Sequence, residues 1–344
     1  MLSLNYEKVM DLKYGENPHQ SAEVYKEVGY NGLSLLDAKK LQGQELSFNN
    51  FFDLDATLSV IRSFNESCCC ILKHATPCGI AINNNIVEAY KNAYLGDPVS
   101  SFGGIVGFNR EVDRPTAEEI TKIFISAIIA PSYTSEAKEV LAKKKKLVVL
   151  QLPMKKKLSS RSFRWINGGI LLQDSDIECS SALECSSALE CSSALECSSA
   201  LECSSALEPD DFSKWEVVTQ KKPSEEEHKA MKFGFKVVKF VKSNAMCITT
   251  DQMTLGMGCG QPNRISSLEI AFNNMKNFGL LERNPKAIAS DAFIPFRDSV
   301  DLAAKEGIQA IVQPGGSIRD QEVIDACNEH KIAMIFTHIR HFRH

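Results

Sequence analysis

The chain has 344 residues, 44% of them hydrophobic and 24% charged, with a formal net charge of -4. That length suffices for two domains, or for one doubled α/β unit with a sizeable core. The charge gives no electrostatic basis for binding nucleic acid or a membrane surface.

No apolar run is long enough to span a bilayer, and the first residues do not read as a secretory signal. Of the twelve cysteines, five lie in a short repeat and three are adjacent at 68–70, a usage unlike an extracellular disulfide framework. A reducing cytoplasm is the expected compartment. No Cys-x-x-Cys pair and no His-x-Glu triplet occurs, which argues against a deaminase-type zinc site.

In chain order, Lys13-Tyr14-Gly15-Glu16-Asn17-Pro18-His19-Gln20 is punctuated like a loop. A helix is predicted over 53–64 from Leu54, Leu58 and Ile61, with Asn49 and Asn50 upstream as caps or ligand-facing donors. Residues 68–72 form an apolar run suited to a strand buried on both faces. It delivers Lys73 and His74 to its end, where Thr76-Pro77-Cys78-Gly79 predicts a turn. A cation beside an imidazole can offer charge stabilisation and proton transfer together. Helices are predicted at 87–94, 116–125 and 135–142, and strands at 127–131, 147–152 and 168–172. Asp97-Pro98-Val99-Ser100-Ser101-Phe102-Gly103-Gly104 forms a loop whose paired glycines allow close backbone approach. Lys143 to Lys146 read as a solvated helix end.

Residues 178–207 are five copies of Glu-Cys-Ser-Ser-Ala-Leu. Five short rungs are too few to bury a core, so a low-complexity linker is expected at 178–208, between halves at 1–177 and 209–344. The second half repeats the pattern of the first. A helix opens at Ser224 ahead of three glutamates. Lys242-Ser243-Asn244 precedes a strand at 245–249, and a glycine-rich turn at 255–264 precedes a helix at 265–278. Ser290-Asp291-Ala292-Phe293-Ile294-Pro295-Phe296-Arg297-Asp298 leads into a helix at 299–306. A strand at 310–313, a helix at 320–330 and a strand at 332–336 follow. The basic aromatic tail His338-Ile339-Arg340-His341-Phe342-Arg343-His344 runs straight out of that last strand, and is expected to tuck into a site.

Taken together, the motifs at 13–20, 72–79, 97–104, 242–244, 290–298 and 340–344 resemble the AICAR (5-aminoimidazole-4-carboxamide ribonucleotide) formyltransferase domain of the bifunctional purine-biosynthesis family. The resemblance implies an α/β fold of duplicated three-layer α/β/α, cytidine-deaminase-like units without zinc. It also implies a homodimer with active sites at the subunit interface, and 10-formyltetrahydrofolate and AICAR as co-substrates. By resemblance, Lys73 and His74 are the catalytic pair and Asn244 supports them. Lys13, Tyr14, Asn50, Gly104, Phe293 and Arg340 fall at ribonucleotide positions. Gln261, Arg264, Pro295, Phe296 and Asp298 fall on the folate side, and Asp291 lies near a monovalent-cation (K+) site. Lys13 stands where arginine is common, Gly104 where some members have aspartate, and Pro262-Asn263 replaces the usual polar pair. The family's IMP cyclohydrolase domain is absent from this sequence, so ring closure is not expected of it. The competing expectation is a non-catalytic ribonucleotide-binding paralogue, or scaffold, for a separate cyclohydrolase.

Overall fold

The computed structural model describes residues 2–176 and 212–344, so the hexapeptide repeat lies outside the described residues. The first half runs β1 (Tyr6–Leu12), β2 (Ala22–Glu27), β3 (Lys39–Gln42), α1 (Phe48–Ile61), β4 (Cys68–Lys73), β5 (Thr76–Ile82), α2 (Ile86–Gly96), β6 (Ile105–Phe108), α3 (Arg114–Ile120), β7 (Ala127–Ala130), α4 (Ser135–Leu141), β8 (Val148–Gln151), β9 (Arg161–Ile166) and β10 (Gly169–Asp174). The second runs β11 (Glu216–Val217), α5 (Glu225–Val238), β12 (Met246–Thr249), β13 (Thr254–Gly258), α6 (Arg264–Asn277), β14 (Ala287–Ser290), α7 (Asp298–Lys305), β15 (Ala310–Gln313), α8 (Asp320–Glu329) and β16 (Ala333–Phe336).

Alternation along β4 explains the layering. Cys68, Cys70 and Leu72 face a core shared with α1 and α5, whereas Cys69 and Ile71 face one shared with α2, α3 and α4. A strand covered on both sides has no polar face, which is why 68–72 is apolar throughout.

One six-stranded sheet has the order β3-β8-β7-β6-β4-β5, and the other has β11-β16-β15-β14-β12-β13. Three central parallel strands in each are flanked by an antiparallel edge strand and an antiparallel hairpin. The two sheets therefore repeat one another in strand order and pairing sense. They meet edge to edge at β5 and β13. There Ala81 bridges Met253, and the Ile82 N–H donates to the Gln252 carbonyl at 2.8 Å. Helices α1 and α5 lie together on one face, with the Phe64 and Phe233 rings 5.7 Å apart.

Two segments differ from expectation for the same reason. Thr76-Pro77-Cys78-Gly79 is not the turn but the start of β5, and 254–258 is the strand β13. A Cβ on Gly79 would fall 1.9 Å from the Ala93 carbonyl oxygen of α2, and one on Gly258 would fall 1.8 Å from that of Ser267 in α6. These glycines let a helix backbone press onto the strand. Helix α1 also begins earlier than predicted. Ser47 is its cap, and Asn50 completes a capping box with it. Ser224 caps α5 as expected, with Glu227 as the reciprocal partner. No helix among the described residues is long and apolar enough to cross a membrane.

Candidate active site

The turn between β4 and β5 consists of His74 and Ala75, both at positive φ (53° and 55°). Two-residue hairpin loops of this hand normally use glycine or asparagine. Here Asp53 of α1 supplies the compensation, accepting from the His74 N–H at 3.3 Å and the Ala75 N–H at 2.6 Å. The carboxylate is buried, so these are charge-assisted bonds that fix the turn. His74 is thereby held exposed at the hairpin tip. Lys73 reaches sideways, its Nζ donating to the Phe102 carbonyl at 2.9 Å. The kink needed to bring adjacent strand residues toward one space thus falls at His74 itself. Gly104 packs beside this turn; a Cβ there would lie 2.7 Å from the Leu72 carbonyl oxygen.

Asp53→Ala is expected to lose about 1.5–3 kcal/mol of stability, the worth of hydrogen bonds to a charged group. Adding Ala75→Gly should restore part of it, because glycine tolerates positive φ. Denaturant unfolding of the single and double variants checks this, and equal midpoints would remove the turn-clamping role.

Lys13, Tyr14 and Asn50 line one pocket of about 640 Å³ with Ser47 and Phe51. Asn50 stands one helical turn before Asp53, and Asn49 holds the 13–20 loop through the Glu16 carbonyl at 3.3 Å. Asn50 therefore both caps α1 and borders that pocket.

A second pocket, of about 360 Å³, is lined by Asn244, Arg264, Phe293, Pro295, Phe296 and Asp298 among others. Its floor is a buried polar network at the carboxyl end of β14. Arg264 is only 6% exposed. Its guanidinium pairs with Asp291 and donates to Ser290 Oγ and to Asn244 Oδ1, each at 2.9 Å. Asn244 Nδ2 donates to the Gln261 carbonyl at 2.8 Å, so the whole amide is oriented by Arg264 and Gln261. Ser243 Oγ donates to the other Asp291 oxygen. Each Asp291 oxygen thus accepts from one protein donor, Arg264 on one side and Ser243 on the other.

The tail docks as expected. The His341 N–H donates to the Asp291 carbonyl at 2.9 Å, and the Arg343 N–H to Ser243 Oγ at 3.1 Å. His341 Nδ1 lies 2.7 Å from an Asp176 carboxyl oxygen; burial alone would raise the pKa of that carboxyl, but the bond with His341 holds it below its usual range. Arg340 remains exposed, its guanidinium 4.3 Å from the Phe342 ring centroid. Phe342 itself borders the Asn244 pocket.

Lys73 and His74 make no hydrogen bond to Asn244 among the described residues. They are related indirectly: α1 holds the His74 turn through Asp53, and Asp55 of α1 interacts electrostatically with Arg343 of the tail. Sequence reasoning singled out neither Asp53 nor Arg343. The one signal for Asp53 was an acidic residue at the buried edge of an amphipathic helix.

A doubled-sheet α/β protein with a Lys-His pair presented at a hairpin tip and a docked C-terminal tail is the class these features define. The family model described as "AICARFT/IMPCHase bienzyme" matches residues 1–274, and the chain belongs to that family. It is 46% identical over 343 residues to the "Bifunctional purine biosynthesis protein PurH" of Clostridium botulinum, covering all of this chain and 60% of that protein. The proteins of the same name from Persephonella marina and Lactococcus lactis subsp. cremoris are 43% and 42% identical, with 61% of each covered. The chain thus spans about three-fifths of the length of these relatives.

Proposed function

We propose that this chain catalyses formyl transfer from 10-formyltetrahydrofolate to the 5-amine of AICAR, a step of purine biosynthesis. The observation that carries the reading is the His74 hairpin tip, clamped by Asp53 and flanked by the Lys73 ammonium. In the reaction the amine nitrogen attacks the formyl carbon, a C–N bond forms, and the bond from that carbon to folate N10 breaks. The amine is weakly nucleophilic because the carboxamide withdraws its lone pair. His74 takes the proton the amine loses and returns one to N10 as it leaves; general acid–base help of this kind is worth ~10²–10⁴-fold. Lys73 stabilises the oxyanion on the formyl carbon, and Asn244, held by Arg264, orients the reacting groups.

Lys13, Tyr14, Asn50, Phe293 and Arg340 are the ribonucleotide contacts in this reading. Pro295, Phe296 and Asp298, with Gln261 nearby, border the folate; Arg264 acts through Asn244 as a positioning residue. The repeated sheet order supports a doubled, zinc-free cytidine-deaminase-like unit. A homodimer whose sites are completed across the subunit boundary is part of this reading. Lys73 bonds to Phe102 and Asn244 to Gln261 and Arg264, so nothing in one subunit's hydrogen bonding joins the pair to Asn244 among the described residues.

Arg340→Gln is expected to weaken AICAR affinity roughly 10- to 100-fold, the loss of a charge-assisted phosphate contact. The remaining affinity should depend less on salt. Titration at two ionic strengths measures both, and an unchanged affinity would remove Arg340 from the phosphate site.

A further inference from the structure

A separate pocket of about 360 Å³ opens at the other end of the first sheet. Strand β4 runs antiparallel to β6, with Cys69 opposite Phe108 and Leu72 opposite Ile105. Lys73 and His74 therefore lie at the amino end of β6, while this pocket lies beyond the carboxyl ends of β6, β7 and β8, at Asn109–Arg110, Pro131 and Pro153–Lys155. Ligands of open α/β sheets bind in the crevice outside the carboxyl ends of the parallel strands. In the second sheet that same end holds the Asn244–Asp291 network.

The wall is built rather than incidental. The Asn109 amide uses all its groups, accepting from the Cys68 N–H and donating to the Phe64 and Glu66 carbonyls, each at 2.8 Å. Arg62 donates to the Met154 carbonyl at 2.7 Å and the Lys156 carbonyl at 3.3 Å, drawing the chain after β8 against the pocket. Its Nε is buried without a partner. Arg110 donates to the Asn109 carbonyl at 3.0 Å and to that of Asn65. Both guanidiniums thus bond to neutral carbonyls, and neither is ion-paired among the described residues. Lys155 adds a third cation, and no carboxylate lines the pocket. Glu66 and Glu111 are close in sequence, but neither lines it, and Glu111 accepts from Ser132 at 2.8 Å. Burial also draws the Arg62 pKa below its ordinary value, a desolvation that a bound anion would offset. Phe64, Pro131 and Met154 supply apolar wall between the charges.

We propose that the Arg62–Arg110–Lys155 pocket binds a small organic phosphomonoester, its phosphate against the three cations and its organic part against Phe64, Pro131 and Met154. A phosphate dianion suits a guanidinium fork, and the volume is that of a small-ligand site. The site stands apart from the formyl-transfer reading and does not depend on it.

Calorimetric titration of the full chain with phenyl phosphate and with inorganic phosphate, at constant ionic strength, tests this. The titrations are made in an Arg340→Gln background, which weakens phosphate binding at the other site, and the Arg110→Gln and Lys155→Gln comparisons assign the binding that remains. Saturable binding is expected there, tighter for phenyl phosphate, and weakened roughly tenfold or more on adding Arg110→Gln or Lys155→Gln. Both side chains are exposed, so the fold should survive, and an unchanged unfolding midpoint verifies it. Absence of saturable binding, or affinities equal with and without the two substitutions, would overturn the proposal. Phenyl phosphate binding no tighter than inorganic phosphate would overturn its organic part.

Discussion

Alanine at position 74 is expected to lower formyl transfer by ~10²–10⁴-fold while leaving AICAR affinity within a few-fold of the parent. The asymmetry follows from where the imidazole sits. It projects from a hairpin tip whose backbone is fixed by Asp53, so truncating it removes a proton carrier without loosening the turn. The nucleotide contacts assigned above lie on other segments. A kcat loss without a KM rise is therefore the expected signature of an interaction made in the transition state. Glutamine at 74 keeps polarity but cannot cycle a proton, and should be as slow as alanine. Near-parental turnover in either variant removes His74 from the chemistry.

The largest stability effect is expected at Asp291. Its carboxylate faces the guanidinium of Arg264 with side-chain exposures of 0% and 5%. Removing one partner leaves a charge buried and uncompensated, which costs about 3–5 kcal/mol. Asp291→Ala should therefore shift the unfolding midpoint strongly, and more than an Arg264→Met/Asp291→Ala double variant, in which no charge is stranded. Because Arg264 also orients Asn244, the double variant should recover stability without recovering turnover. Equal stability of single and double variants would show that the pair does not behave as a buried ion pair.

Much of this architecture was legible from residue pattern. The run 68–72, the cap at Ser224 and the helix–strand alternation of the second half translate directly into β4, α5, β12, β15 and β16, whereas β14 is not among the expected strands. What misled was the usual meaning of proline and glycine. Pro77 and Gly79 predict a turn, yet they sit beside an irregularity in the β4–β5 register and under α2. The true turn, His74-Ala75, contains no turn-forming residue, because its stabiliser lies 21 positions upstream at Asp53. Arg264 stands just before an expected helix with nothing nearby in sequence to pair it, and only the fold buries it against Asp291. Arg62, Arg110 and Lys155 are scattered through the chain, and meet only where three parallel strands end.

Mixing the purified chain with AICAR and 10-formyltetrahydrofolate, and following the formylated nucleotide together with released tetrahydrofolate, is the most direct test. Stoichiometric appearance of both, lost in His74→Ala, is the predicted result. Nucleotide binding with neither product formed would contradict it, and would identify the chain as a ribonucleotide-binding module.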